Sequence, residues 1–186
     1  LTWQRPLPKG VATVTLGRTF SRFVTEQRDS LGGLVLGNHS EEGETSLRAE
    51  VQVLPSPAVE LTLGNAVRYA SRLSYRLTLL GFLRRDAENV PSPLNVDTTI
   101  RAWRNATYGQ VALNLGRRVR ATGGLRLDWY GFLASAARLS PRVGLAVVLD
   151  GRTTLNIAGG RYTQAPSYVW LVGDPTNAAA LRPFRA

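Results

Sequence analysis

Arg68, Arg72 and Arg76 recur at four-residue intervals in the middle of the chain, and Arg126 and Asp128 stand two apart further on. Guanidinium groups present a planar fork of donors that grips carboxylate or phosphate through paired hydrogen bonds. On an inner wall these five residues are the candidates to meet an anionic substrate or a polar partner packed against them. Other chemistry finds less support. His39 is the only histidine, and a histidine without cysteines or clustered carboxylates reads as a surface residue rather than a ligand. Glu41, Glu42 and Glu44 follow it in a polar stretch and read as a solvated acidic loop. No base with an orienting partner stands ready for the many serines. Gly32-Gly33 and Gly159-Gly160 open no helix after a strand, so they are not phosphate-cradling loops. Cysteine is absent, which removes disulfides, thiolate chemistry and cysteine metal sites. A non-enzyme with no metal and no cofactor is expected.

The elements that must position the arginines follow from the alternation around them. Val59, Leu61, Leu63, Val67, Tyr69, Leu73, Tyr75, Leu77 and Leu79 occupy odd positions; Glu60, Thr62, Arg68, Arg72, Ser74, Arg76 and Thr78 occupy even ones. A period of two makes this one β-strand with an apolar and a charged face. It is far longer than the ordinary strand of about six residues. Length and two-sidedness together predict a large membrane barrel, lipid outside and water or a plug inside. On that reading Arg68, Arg72, Arg76, Arg126 and Asp128 face the lumen.

The remaining chain divides into strands and two kinds of connector. Strands are expected at Leu1 to Gln4, Val11 to Asp29, Thr45 to Leu54, Val96 to Leu115, Val119 to Trp129, Arg142 to Leu149 and Thr153 to Tyr162. Arg18 and Arg22 break the parity of the second, for which a bulge is one cause. Ile100, Ala102, Ala106 and Tyr108 share one parity and Val111, Leu113 and Leu115 the other, which predicts a bulge at Gly109. Short turns fall at Pro6–Gly10, Pro55–Pro57, Gly116–Arg118 and Asp150–Gly151, the last a strong hairpin signal. Long connectors fall at Ser30–Glu44, Leu83–Asn95, Tyr130–Leu139 and from Thr163 onward. Short turns at one end and long loops at the other are the pattern of outer-membrane barrels. Trp129, Tyr130, Phe132, Tyr162, Tyr168 and Trp170 lie where strands meet long loops, as members of an aromatic girdle would; ordinary strand or core aromatics fit each single position equally well.

The net charge is +10, and Lys9 is the only lysine. Such a balance raises nucleic acid as a partner, but the arginines alternate along strands instead of forming a basic block, and no nucleic-acid motif is present. No nucleic-acid partner is expected. Near a membrane the arginines could instead meet the phosphates of lipid or lipopolysaccharide. No apolar run is long enough for a transmembrane helix.

The last third carries a resemblance. Tyr108-Gly109-Gln110, Leu125-Arg126-Leu127-Asp128-Trp129, Leu139-Ser140-Pro141-Arg142-Val143-Gly144-Leu145-Ala146, the run Thr153 to Tyr162, Gln164-Ala165-Pro166-Ser167, and Leu181-Arg182-Pro183 follow in order. Phe184 stands where a glutamate is usual. The succession resembles the barrel of TonB-dependent outer-membrane receptors; residues 105–186 carry it, and the first hundred agree in rhythm. The resemblance implies a barrel of about 22 strands closed around a plug. It implies import of a scarce nutrient of siderophore, cobalamin or glycan class, driven through TonB, in the outer membrane of a Gram-negative-type bacterium. The expected fold is thus an all-β antiparallel meander, about eight strands of that larger barrel. Residues 1–186 would form part of one barrel domain, with the plug and the C-terminal strands outside the chain. Partners would be outer-membrane lipid and lipopolysaccharide, the plug, TonB and the small-molecule nutrient. In the family the plug packs on the inner wall, a structural role for the lumen arginines that ranks ahead of substrate contact.

Two other readings compete. A complete eight-stranded outer-membrane barrel would have a structural or adhesive role. A soluble binding barrel would hold apolar residues inside and arginines outside, though small soluble barrels rarely use strands of this length.

Overall fold

A computed structural model of the chain describes residues 1–85, 91–133, 137–164 and 167–168. Eight strands run in order: β1 (Thr2–Leu7), β2 (Gly10–Arg28), β3 (Leu34–Ser56), β4 (Val59–Arg85), β5 (Pro91–Leu115), β6 (Val119–Tyr130), β7 (Ala137–Val148) and β8 (Thr154–Gly160). Each pairs antiparallel with the next in one sheet of order β1 to β8. The all-β meander is the one the alternation predicts. No ladder joins β1 to β8 among the described residues, so the small closed barrel is not what this sheet forms.

Several strands outrun their expected limits. β3 begins at Leu34, so His39, Glu41, Glu42 and Glu44 are strand residues and the β2–β3 link shrinks to a tight turn. There Asp29 Oδ1 accepts the N–H groups of Leu31 (2.9 Å) and Gly33 (2.7 Å), while Gly32 takes a φ of +83° that favours glycine. β4 continues to Arg85 and β5 starts at Pro91, which consumes most of the expected Leu83–Asn95 loop; its centre lies outside the described residues. β4 has 27 residues, a contour on the order of 90 Å at about 3.3 Å per residue. A tilted strand crosses a bilayer in roughly 10 residues. The long strands must therefore project well beyond any membrane they cross.

The short turns are close to expectation. Pro8 and Lys9 connect β1 to β2, Pro57 and Ala58 connect β3 to β4, and Gly116 (φ +72°) opens the turn into β6. Asp150-Gly151 does not form the two-residue hairpin turn. The connection runs from Leu149 to Thr153, with the Asp150 carboxylate accepting the Arg152 N–H at 2.8 Å. Gly151 is not among the positive-φ glycines that such a turn requires.

In the half of the sheet nearest the short turns, one face is largely apolar and the other largely polar. Leu16, Leu47 and Val67 are cross-strand neighbours, as are Ala12, Val51 and Leu63, and all point one way. Leu63 is 66% exposed there. Asn65 lies on this apolar face too, but its amide donates to Thr107 (2.8 Å) and Asn105 (3.3 Å), so the polar groups satisfy one another. Glu50, Gln52, Thr62, Arg120 and Arg126 take the opposite, polar face.

The division reverses at one residue. Ala70 pairs with Glu44 and Arg72 with Gly43, leaving Ser71 as an extra residue in β4; the ladder to β5 shifts at the same place. A bulge of this kind flips every following side chain to the other face. Leu73, Tyr75 and Leu77 therefore turn to the polar face, and Arg72, Ser74 and Arg76 turn to the apolar one. This corrects the expectation of one unbroken apolar face from Val59 to Leu79. It also corrects the expectation that Arg72 and Arg76 share a face with Arg68: they lie on the opposite, apolar face. No shift occurs at Gly109, whose ladders to β4 and β6 are continuous, nor at Arg18 and Arg22. The parity change along β5 reflects which face needs apolar residues, not a backbone event. Ile100 and Ala102 meet Leu73, Tyr75, Val96, Tyr130 and Phe132 in a buried cluster on the polar side, against which Tyr168 packs. Tyr130, Phe132 and Tyr168 are thus core residues and not girdle members; Trp170 lies outside the described residues.

A different aromatic row forms on the apolar face. Phe20, Tyr69, Trp103 and Trp129 follow one another across β2, β4, β5 and β6. The two indoles are 3.8 Å apart between centroids. Gly131 makes room for them, since a Cβ there would stand 2.6 Å from Trp103 Nε1.

Candidate functional site

The polar face carries a half-open cleft of about 420 Å³. β3 supplies Arg48, β4 supplies Arg68, β5 supplies Arg104 and Tyr108, β6 supplies Arg126 and Asp128, and β7 supplies Arg142. All seven fall on the same parity of their strands, which is why neighbouring strands bring them together.

Tyr108 organises the centre. Its ring lies over Gly64 on the adjacent strand, where a Cβ would come within 2.3 Å of the ring. Glycine is the residue that lets the ring cross β4 and reach β3. There the phenol donates to Glu50 Oε2 at 2.5 Å and accepts from Arg48 Nε at 3.0 Å. The guanidiniums of Arg48 and Arg126 stand 5.7 and 5.9 Å from the ring centroid, within cation–π range.

The acids in and beside the cleft are already engaged. Asp128, only 6% exposed, receives Arg126 through Nε (2.9 Å) and Nη2 (2.8 Å). Glu44 receives Arg104 at 2.6 Å and Arg68 at 3.6 Å. The arginines are not used up. Among the described residues Arg104 Nε and Arg142 Nε are buried with no hydrogen-bond partner, as is the Tyr168 hydroxyl. Buried donors of this kind normally find partners. The cleft therefore has spare donor capacity suited to a carboxylate, phosphate or similar anion.

Of the five residues singled out by sequence, Arg68, Arg126 and Asp128 line this cleft together. Arg72 and Arg76 do not; they lie on the other face, paired with Glu41 and Asp97 at 3.2 Å each. Arg48, Arg104, Tyr108 and Arg142 were not foreseen. Parity alone could have placed Arg48 beside Glu50 on a charged face, but the register that joins residues about sixty positions apart is not written in any single strand.

The acidic trio is split by alternation. Glu42 accepts the Tyr75 hydroxyl at 2.6 Å and Glu44 serves the cleft, while Glu41 points to the opposite face. His39 pairs with Glu26 at 3.0 Å in the open. No group of three or more potential metal ligands occurs among the described residues.

A family model described as "TonB dependent receptor-like, beta-barrel" matches residues 7–186. The match takes in residues 7–100 as well, where motif evidence was absent and only the rhythm of strands agreed. No curated protein and no solved structure matches the chain.

Proposed function

Because this chain belongs to the TonB-dependent receptor-like β-barrel family, we propose that it forms part of the wall of an outer-membrane importer. The family is one of transporters and receptors in the outer membrane of Gram-negative bacteria, not one of enzymes. On this reading the cargo is a scarce nutrient of siderophore, cobalamin or glycan class, and TonB supplies the energy from the proton gradient. The observation that supports it best is the two-sided wall: an exposed apolar face crossed by an aromatic row, backed by a polar face with an arginine-rich cleft. Lipid suits the first and a water-filled or plugged lumen suits the second.

Within that reading, Arg68, Arg126 and Asp128 contact the plug or the passing substrate. Plug packing ranks first, because the acids that hold Arg68 and Arg126 already fix their heads in place as a rigid polar lining. The spare donors of Arg104 and Arg142 would then receive acidic plug groups. An anionic substrate would be drawn to the same field.

The test uses the receptor that contains this chain, expressed in cells with and without TonB. Uptake of labelled siderophore, cobalamin and glycan candidates is followed in both. Accumulation of one candidate that stops when TonB is removed, or when the proton gradient is collapsed, supports the reading. Uptake that is indifferent to both would sink it.

A further inference from the structure

Five arginines line the cleft, and four of them have an acid. Arg48 holds Glu50 at 2.6 Å, Arg68 and Arg104 share Glu44, and Arg126 holds Asp128 at 2.8 Å. Arg142 has no carboxylate partner among the described residues, and its Nε is buried without a hydrogen bond. Arg104 also has a spare Nε, but its Nη2 already meets Glu44 at 2.6 Å. The unspent charge of the cleft is therefore that of Arg142. Two glycines set its position. Arg142 stands opposite Gly124 of β6 and Gly160 of β8. A Cβ on Gly124 would lie 3.0 Å from Arg142 Nε, and one on Gly160 would lie 3.1 Å from its Cβ. With no side chain beneath it, the guanidinium stem lies across β6, as the Tyr108 ring lies across β4.

The chain after β8 completes the surroundings. β8 leaves the ladder at Gly160, opposite Arg142, while β7 extends back to Ala137. The Arg161 N–H then donates to the Pro141 carbonyl (2.9 Å), and the Thr163 and Ser140 hydroxyls lie 3.0 Å apart. Ser140 is two residues from Arg142 on the same face of β7, so these bonds bring the chain inward beside it. Thr163 and Gln164 line the same cleft as a result.

We propose that Arg142 is the specificity-determining residue of the cleft and receives one oxyanion, a carboxylate or a phosphate monoester, on a small hydroxylated molecule. The inference deepens the importer reading and rests on its assignment of the polar face to the lumen. A partly withdrawn guanidinium without a counter-charge favours an anion that supplies one. Its Nε and Nη donors form two parallel hydrogen bonds to an oxyanion. The Thr163 hydroxyl and the Gln164 amide both donate and accept, which suits the hydroxyls of the carrier. A cleft of about 420 Å³ falls among small-molecule sites. The other four arginines are held by their acids and shape the wall around this one.

The experiment uses the full receptor containing this chain, purified in detergent. It is titrated calorimetrically with glucuronate, glucose 6-phosphate and glucose, hydroxylated probes of similar size that differ in charge. Both acids are expected to bind at least about tenfold more tightly than glucose, as a charge-assisted hydrogen-bonded pair provides. R142Q is expected to erase that difference and R142K to keep part of it. R72Q, on the opposite face, is expected to leave it whole. Equal binding of the three probes by the parent, or none, would overturn the proposal without recourse to any variant. So would an unchanged preference in R142Q, or an equal loss in R72Q, which would assign the effect to net charge. Acetate and inorganic phosphate binding as tightly as the sugar acids would overturn the hydroxylated carrier. An R142Q receptor that keeps the preference but exposes its plug to trypsin would assign Arg142 to a plug carboxylate instead. Heat-modifiable gel migration shows that each variant is folded. The titration needs neither TonB nor a proton gradient. The expected binding in a receptor whose uptake ignores both would sink the importer reading alone. Probes bound alike by a receptor that imports through TonB would sink this proposal alone.

Discussion

Two halves of the same wall use alternation in opposite ways. Below Ser71, toward the short turns, apolar side chains such as Leu47, Val51, Leu63 and Val67 point to the exposed face, and Arg48, Arg68 and Arg126 point to the cleft. Above Ser71 the assignment inverts. Leu73, Tyr75 and Ile100 pack inside with Tyr130 and Phe132, and Arg22, Arg72 and Arg76 stand outside. The surrounding medium accounts for the difference. On the outer-membrane reading the lower half has lipid on its outer side, so its apolar residues belong there. On the same reading the upper half overshoots the bilayer and has water on both sides, so its apolar residues must find one another, and the polar side is where neighbouring strands and Tyr168 cover them. One extra residue makes the exchange.

Deleting Ser71 attacks that contrast most directly. The upper half of β4 would shift by one position, exposing Leu73 and Tyr75 and burying Arg72 and Arg76. We expect a loss of several kcal/mol, or failure to fold. The folded fraction of the full receptor, read by heat-modifiable migration, checks it. A deletion variant as stable as the parent would mean that the bulge does not set the faces.

A matched pair of truncations sharpens the comparison. Leu73 is 1% exposed in the inner cluster, and Leu63 is 66% exposed on the apolar face. Leu73→Ala should cost about 2–4 kcal/mol because it leaves a cavity. Leu63→Ala should cost clearly less, because lipid chains fill the space. Denaturant midpoints in lipid vesicles distinguish the two, and equal losses would contradict the assignment of the lower face to lipid.

The cleft offers a smaller effect. Gly64→Ala should displace the Tyr108 ring and break its bonds to Glu50 and Arg48, costing about 1–3 kcal/mol. Adding Tyr108→Ala should restore part of that loss, a non-additivity that a double-mutant cycle measures. Strict additivity would show that the ring does not depend on the glycine.

The weakest effect belongs to the Asp150 turn, outside both halves. The Arg152 backbone N–H, helped by Thr153, holds the Asp150 carboxyl below the usual carboxylate range. A carboxyl with a depressed folded pKa stabilises above its unfolded pKa, and the contribution is lost as pH falls through the folded value. Protection of the Arg152 amide, its exchange rate compared with the intrinsic rate at each pH, should therefore fall in acid in the parent and show no such acid step in Asp150→Asn. An acid step that survives the substitution would assign it to another group.

Legibility in the sequence followed the range of the interactions. Strand existence, the antiparallel meander and the short-turn end were readable because period-two alternation and Pro/Gly punctuation are local signals. The family was readable from an ordered set of motifs after residue 105, and the match over residues 7–186 extends it through the earlier strands. Arg68, Arg126 and Asp128 share the polar face of the sheet, as their parity implies. Arg72 and Arg76 do not share it, because a single serine interrupts the ladder without disturbing the apparent alternation: apolar residues continue at odd positions on both sides of Ser71. The expected bulge at Gly109 failed for the mirror reason, since there the alternation breaks and the backbone does not.

By itself the sequence determined that these residues pair as long two-faced strands, because side-chain direction in an extended chain depends only on parity. Only the tertiary structure decided which face each half presents and which distant arginines share a cleft. Those depend on register between strands, and register is set by bulges and cross-strand packing that no single strand contains.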